Sequence, residues 1–320
     1  MKKLILTGAV ISAVALILSL TLFFILPQNR EYRIVLIEPG ARLATIATTL
    51  HEEGAIRHPR LFKALARIRG RHNSLRAGEF QIPARASLNR VLGIIVSGRG
   101  HNRFITIPEG LTARQVRYLL YSVEELTGPV PAFTDGDILP ETYAFIRGSS
   151  RADLVARMRR AMETTLEYEW NNRAPGLPFR TPHEALVLAS IIERETHVDA
   201  ERPKVAAVFV SRLRQGWRLQ ADATVIFAIT DRLGDMQGRQ LFSRDLRFES
   251  PYNTYVVRGL PPGPICNPGR ASIRAALNPA DVEYMFFVAN GTGGHTFSVD
   301  LATHEYHRAR WRIIRDAARN

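Results

Sequence analysis

Leu4–Leu26 is an apolar run of 23 residues with no charge in it, preceded by Met1-Lys2-Lys3 and followed by Pro27. As a helix, at about 1.5 Å per residue, it would reach about 34 Å, enough for a hydrocarbon layer of about 30 Å. The apolar part of a cleaved signal is shorter, about 7 to 15 residues, and ends at a small-residue site. This run ends in Phe23-Phe24-Ile25-Leu26. The expectation is an uncleaved N-terminal transmembrane helix. Lys2 and Lys3 favour a cytoplasmic amino terminus, with Arg30 and Arg33 on the far side weakening that preference. The chain is then expected in the inner (cytoplasmic) membrane as a single-pass protein, with everything after Pro27 extracytoplasmic.

The remaining length of a 320-residue chain suggests two folded units. Lys and Arg number 43 against 30 Asp and Glu, and the only lysines are Lys2, Lys3, Lys63 and Lys204. The arginines are scattered, with no basic arm or stripe of the kind a nucleic-acid binder shows, so nucleic acid is not expected as a partner. An acidic partner such as a membrane surface or a carboxylate-bearing polymer remains open beside a plain solvated surface. Cys266 is the only cysteine, which excludes an intrachain disulfide and a cysteine-based metal site.

Hydrophobic periodicity divides the chain beyond Pro27. "YRIVLIEPG" reads as a strand, residues 41–53 as a helix closed by Gly54, "HPRLFKALARIRG" as a second helix, "AGEFQIP" as a strand, and "SLNRVLGIIVSGRG" as a helix capped by Ser87. This order resembles a LysM-like module, a small glycan-binding fold; a spacer domain is the competing reading. "RFITIPEG" is a further strand and "LTARQVRYLLYSV" a helix with Thr112 as its cap. A stretch rich in Gly, Pro and Asp comes next. The expected fold class is α+β: a transmembrane anchor over 1–27, a LysM-like module over 28–100, a connecting segment over 101–138, and a mixed α+β catalytic domain over 139–320. Residues 217–225, "WRLQADATV", read as a short extended piece.

"TPHEALVLASIIERETH" (181–197) is the most informative helix. Thr181, Pro182 and Glu184 form a capping box with proline in the first turn. At about 100° per residue, Ala185, Leu188, Ile191 and Ile192 share a face with Glu195, while Glu193 points about 160° away. A carboxyl on an apolar face keeps its proton to higher pH, which suits a general acid. The structural alternative is a salt bridge from Glu195 to Arg194, Arg202 or Arg212.

Later segments are dense in Gly, Pro, Asn and Thr beside aromatics, a composition that suits sugar sites. "ASIIERET", "RLQADATV", "YNTYVVRGLPPGPICNPG" and "GTGGHTFS" closely resemble the YceG-like family of membrane-anchored endolytic murein transglycosylases, over roughly residues 33–310. The resemblance implies cleavage of the MurNAc–GlcNAc bond within peptidoglycan glycan strands, leaving 1,6-anhydro-MurNAc ends; the expected anchor would confine this action to strands emerging beside the membrane, which the protein is expected to trim or terminate. It makes the second glutamate of Glu-x-Glu-Thr, Glu195, catalytic. Glu195 would first protonate the leaving oxygen, then take the proton of the sugar's own 6-hydroxyl as that oxygen attacks the anomeric carbon. No metal, nucleotide or other cofactor is required. Glu193→Gln is accordingly expected to keep most activity.

Gln220, Asp222 and Thr224 are candidates for sugar hydroxyls or for positioning Glu195, and Tyr252, Asn253 and Thr254 for lining subsites. His295 stands after Gly293-Gly294 in a turn and is open between a structural and a binding role. Family members often have Thr-Asp-Pro-Thr where this chain has Ala221-Asp222-Ala223-Thr224, so no role is carried to positions 221 and 223. His304 and His307 lack a third ligand. Two other readings stay open. One is a water-using muramidase, with Asp222 as the second carboxylate. The other is a non-catalytic peptidoglycan-binding scaffold that recruits cell-wall synthases.

Overall fold

The computed structural model describes residues 26–233 and 241–317. They form an α+β protein of helices and three two-stranded sheets, divided into two compact units. The smaller comprises residues up to Phe104 together with Ala144–Ser149, the larger Ile105–Tyr143 and Ser150 onward. Among the described residues, no helix is long and apolar enough to cross a membrane. The expected transmembrane helix therefore has no place in the described fold, and residues 4–25 of that run lie outside the described residues.

In the smaller unit, β1 (Arg33–Ile37) and β2 (Gly78–Ile82) pair antiparallel, Val35 opposite Phe80. Strand alternation sends Val35, Ile37, Phe80 and Ile82 to one side, where all are buried. α1 (Leu43–Glu52) and α2 (Pro59–Ile68) connect the strands and cover that side with Ile46, Leu50, Phe62 and Leu65. α3 (Leu88–Ser97) completes the core with Leu88, Val91 and Ile95. It begins where the Ser87 hydroxyl accepts from the Arg90 amide and stops at Gly98, whose φ of 67° ends the helix.

β3 (Arg103–Thr106) and β4 (Thr142–Phe145) make the second sheet. Between them in the chain, α4 (Ala113–Ser122) opens with a capping box made by Thr112 and Gln115. In the larger unit α5 (Arg151–Asn171), α7 (Arg202–Arg214), α8 (Asp222–Leu233) and α9 (Arg270–Leu277) all pack against α6 (Pro182–Glu195) or share its core. β5 (Phe286–Ala289) and β6 (His295–Ser298) form an antiparallel hairpin, and α10 (Leu301–Ala317) closes the described chain.

α6 starts as its capping box requires, with the Glu184 amide donating to the Thr181 hydroxyl and the Glu184 carboxylate accepting from the Thr181 amide. Its burial is not confined to one face. Every residue from Ala185 to Glu193 is buried, because α6 is the central helix rather than a surface one. The two-faced reading of α6 therefore fails, and Glu193 is more deeply buried than Glu195. The extended reading of 217–225 is also corrected: the chain turns at Gln220 and enters α8 at Asp222.

Candidate active site

Glu195 is the last residue of α6, and α8 begins beside it. This meeting depends on the turn at Gln220. Its φ of 52° lies in the left-handed region, where residues other than glycine are uncommon. The turn is held by the Gln220 amide donating to the Thr254 carbonyl at 3.1 Å and the Ala221 amide donating to the Thr254 hydroxyl at 3.0 Å. The chain then enters α8 with the Ala223 amide 3.5 Å from Glu195 Oε1. Asp222, exposed at the same helix start, accepts a 2.6 Å hydrogen bond from the Tyr255 hydroxyl.

This arrangement sets the proton affinity of Glu195. Burial, and next the neighbouring Asp222 carboxylate, raise its carboxyl from 4.5 to about 7, while the Ala223 amide, Arg212 and Arg194 pull the other way. Some of the residue still reaches solvent. The Tyr255 hydroxyl is also pushed up, by burial first and then by Asp222, so it stays a donor to that carboxylate. The result is a partly buried acid that holds its proton toward neutral pH, with the Asp222 side chain next to it at the start of α8.

The arginines suggested as structural partners of Glu195 are engaged elsewhere. Arg202 is buried and donates to Glu193 Oε1 at 3.0 Å, Ser272 Oγ at 2.7 Å and Asp199 Oδ1 at 3.1 Å. Glu193 Oε2 accepts from the Gly269 amide at 2.9 Å. Arg212 donates to the Leu219 and Met285 carbonyls, and Arg194 to the Gly110 carbonyl. The two glutamates thus differ in their surroundings: Glu193 locks α6 to α7 and α9, and Glu195 meets the Ala223 amide at the start of α8 and keeps part of its surface open to solvent.

The other candidates fall into two groups. Gln220 and Asp222 are exposed around Glu195, and Tyr252 is partly buried with its ring 4.9 Å from that of Phe227. Thr224, Asn253 and Thr254 have no exposed surface. The Thr224 and Thr254 hydroxyls lie 2.8 Å apart, and Asn253 Nδ2 donates to the Leu246 and Phe248 carbonyls. These three shape the loop that carries Tyr252 and Tyr255 and present no surface to a sugar. His295 is built into the end of α6 indirectly. Its ring Nδ1 lies 2.7 Å from Glu201 Oε2, its amide donates to Glu201 Oε1 at 2.8 Å, and Thr196, next to Glu195, donates to the same carboxylate. Burial works to raise Glu201, but these hydrogen bonds outweigh it and hold the carboxyl low. Tyr255 is the site residue that sequence reasoning misses. It stands inside the string "YNTYVVRG", and only the fold shows that its hydroxyl reaches Asp222. Among the described residues, no group of three His, Cys, Asp or Glu side chains could hold a metal ion. His304 stacks on Phe286 instead.

The YceG-like family model matches residues 35–310. The chain belongs to the YceG-like family. The match includes every residue of the Glu195 site. A Bacillus subtilis protein named endolytic murein transglycosylase is 28% identical over 302 residues, covering 84% of this chain and 81% of the relative. A Streptococcus pneumoniae protein of the same name is 24% identical, and the match spans 84% of this chain but 56% of that longer protein. The crystal structure of a YceG-like protein from Listeria monocytogenes superposes with a TM-score of 0.52 at 26% identity, covering 87% of this chain and 99% of that one. This YceG-like chain therefore shares both fold and sequence with its relatives.

If Glu195 supplies a proton in the rate-limiting step, kcat/KM will fall above about pH 7 as the free carboxyl ionises. Asp222→Asn removes a charge that raises this value, so the alkaline limb should move to lower pH. A pH–rate profile of both proteins checks this; an alkaline limb at the same pH in the variant would mean that Asp222 does not act on Glu195.

Proposed function

We propose that this protein is an endolytic peptidoglycan lytic transglycosylase that cleaves the MurNAc–GlcNAc bond within glycan strands and leaves 1,6-anhydro-MurNAc ends. The observation that carries this reading is Glu195: a partly buried carboxyl whose proton is held toward neutral pH, at the end of α6 beside the start of α8 in a YceG-like chain. The relatives named endolytic murein transglycosylase support it.

The chemistry can be derived from the geometry. Protonated Glu195 donates to the glycosidic oxygen as the C–O bond breaks. The positive charge developing on the sugar is offset by the Asp222 carboxylate, which Tyr255 holds in place. Glu195, now a carboxylate, is steadied by the Ala223 amide and takes the proton of the MurNAc 6-hydroxyl as that oxygen closes on the anomeric carbon. Attack within one molecule benefits from a high effective concentration, and no water is consumed.

The place of action is part of the same proposal. Peptidoglycan lies outside the cytoplasmic membrane, so the catalytic unit works there. Action on nascent strands beside that membrane, ending their elongation and bringing the protein near the cell-wall synthases, is supported by the sequence preceding residue 28 alone.

A water-using muramidase reading has one observation in its favour, the second carboxylate of Asp222 beside Glu195. Mass spectrometry of glycan strands cut by the full chain separates the two. Anhydro ends are expected. Free reducing ends would replace the transglycosylase reading by the hydrolytic one, and intact strands would leave a glycan-binding scaffold.

A further inference from the structure

The larger unit has a cleft of 610 Å³, walled by α4, α6, α8 and the loop segments 133–137 and 262–264. It does not contain Glu195. Leu186 and His183 of α6 line it, nine and twelve residues before Glu195, or about 14 and 18 Å along the helix axis. On α8, Phe227 and Thr230 line it, four and seven residues after Ala223, or about 6 and 10 Å away. Tyr252, packed on Phe227, belongs to the same wall. The cleft is therefore displaced from Glu195 along the α6–α8 pair by roughly 6 to 18 Å.

Its charges are unevenly committed. Asp137 accepts from the Thr134 amide at 2.9 Å, the Thr134 hydroxyl at 3.1 Å and Arg159 at 3.4 Å. Asp135 accepts from the Ala113 amide at 2.6 Å. Both carboxylates are thus used to hold the walls. The cations are less committed. Arg117 donates through Nη1 to the Phe133 carbonyl at 3.0 Å, which leaves other N–H groups of its guanidinium. The exposed side chains of Arg114 and His183 make no ion pair or hydrogen bond among the described residues. A polar cleft with apolar walls and unspent guanidinium donors is suited to an anion, and the planar fork of arginine matches the two oxygens of a carboxylate, as it does those of a phosphate.

We propose that this cleft binds a carboxylate of the peptide stem carried by MurNAc, with Arg114 as its principal partner and Arg117 beside it. The inference rests on the reading of peptidoglycan as substrate and deepens it: the protein recognises stem-bearing strands, and the stem sets the register of the strand over Glu195. Arg114 takes no part in bond cleavage. It is a specificity residue.

The test compares the full-length wild type with Arg114→Glu on three substrates: strands carrying stems, strands stripped of stems by an amidase, and strands whose stem carboxylates have been amidated. On stem-bearing strands the variant should raise KM about tenfold with little change in kcat, the effect of losing one charge-assisted pair. On stripped or amidated strands the two proteins should match. Equal KM values on stem-bearing strands, or an equal loss on all three substrates, overturns the proposal. Arg114→Lys, which keeps the charge without the fork, should fall between them and guards against misfolding as the cause. A second measurement is independent of turnover: calorimetric titration with a soluble muramyl tripeptide. Binding by the wild type that Arg114→Glu abolishes supports the cleft even if no strand is cut, in which case the catalytic reading alone fails. No binding by the wild type overturns the cleft assignment.

Discussion

Glu195→Gln should lower kcat by about 10³-fold or more while leaving strand binding intact, and it should make the protein more stable at pH 8. The first effect follows from the proposed role of Glu195 as acid and then base; general acid–base catalysis by one positioned side chain is worth about 10² to 10⁴ per role. The second comes from linkage. The folded protein holds the Glu195 proton to about pH 7, against 4.5 for the ordinary carboxyl. The stability associated with that proton is complete below about pH 4.5 and is lost as pH rises through about 7. At pH 8 the wild type carries an ionised, partly buried carboxylate, and the amide variant does not. With allowance for the part of Glu195 that solvent reaches, the gain is about 2 kcal/mol. Steady-state kinetics and urea unfolding at pH 5 and pH 8 read both effects. A variant that is inactive yet no more stable at pH 8 would show that the carboxyl is not held in its neutral form. A variant with kcat near wild type would remove Glu195 from the chemistry.

Glu193→Gln should cost about 1 to 3 kcal/mol of stability, because the buried Arg202 guanidinium loses its closest carboxylate while keeping Asp199 at 3.1 Å and Glu109 at 3.7 Å. For a unit of this size that corresponds to a fall in Tm of roughly 5 °C. This changes the meaning of the sequence-based expectation of near-normal activity for the same substitution. Activity per folded molecule at low temperature should still approach wild type, since Glu193 is bonded to Arg202 and the Gly269 amide and makes no contact with Glu195 or Asp222. The loss should appear on warming. Pairing it with Arg202→Met should recover part of the stability, because a hydrophobic side chain of similar length does not leave a buried charge. Thermal unfolding of the two single variants and the double variant tests the coupling; additive losses would mean that the pair is not a unit.

How far the residues alone determine this protein can be read along α6. Thr181, Pro182 and Glu184 mark the start of the helix because capping is local: the groups involved lie within one turn, and the structure shows the hydrogen bonds that they imply. The strands and helices of the smaller unit are similarly legible, since alternation in β1 and β2 and a three-to-four residue spacing in α1 to α3 report their buried sides directly. Four strings were enough to indicate the family because each is contiguous in the chain and specific in composition. The faces of α6 were not legible. Periodicity assumes one side in the core and one in water, and a central helix buried from Ala185 to Glu193 has no such asymmetry. Nor did the sequence show which arginine meets which glutamate. Glu193 finds Arg202, nine residues on, through a turn between two helices, while Asp222 and Tyr255 meet across a separation of 33 positions. The start of α8 reads as extended in the sequence because Gln220, a residue that seldom takes a positive φ, makes the turn. Local hydrogen bonds and spacing are written in the chain's near neighbours. The proton affinity of Glu195, by contrast, is made by desolvation and by a charge 27 residues away, and only tertiary packing brings those to one point.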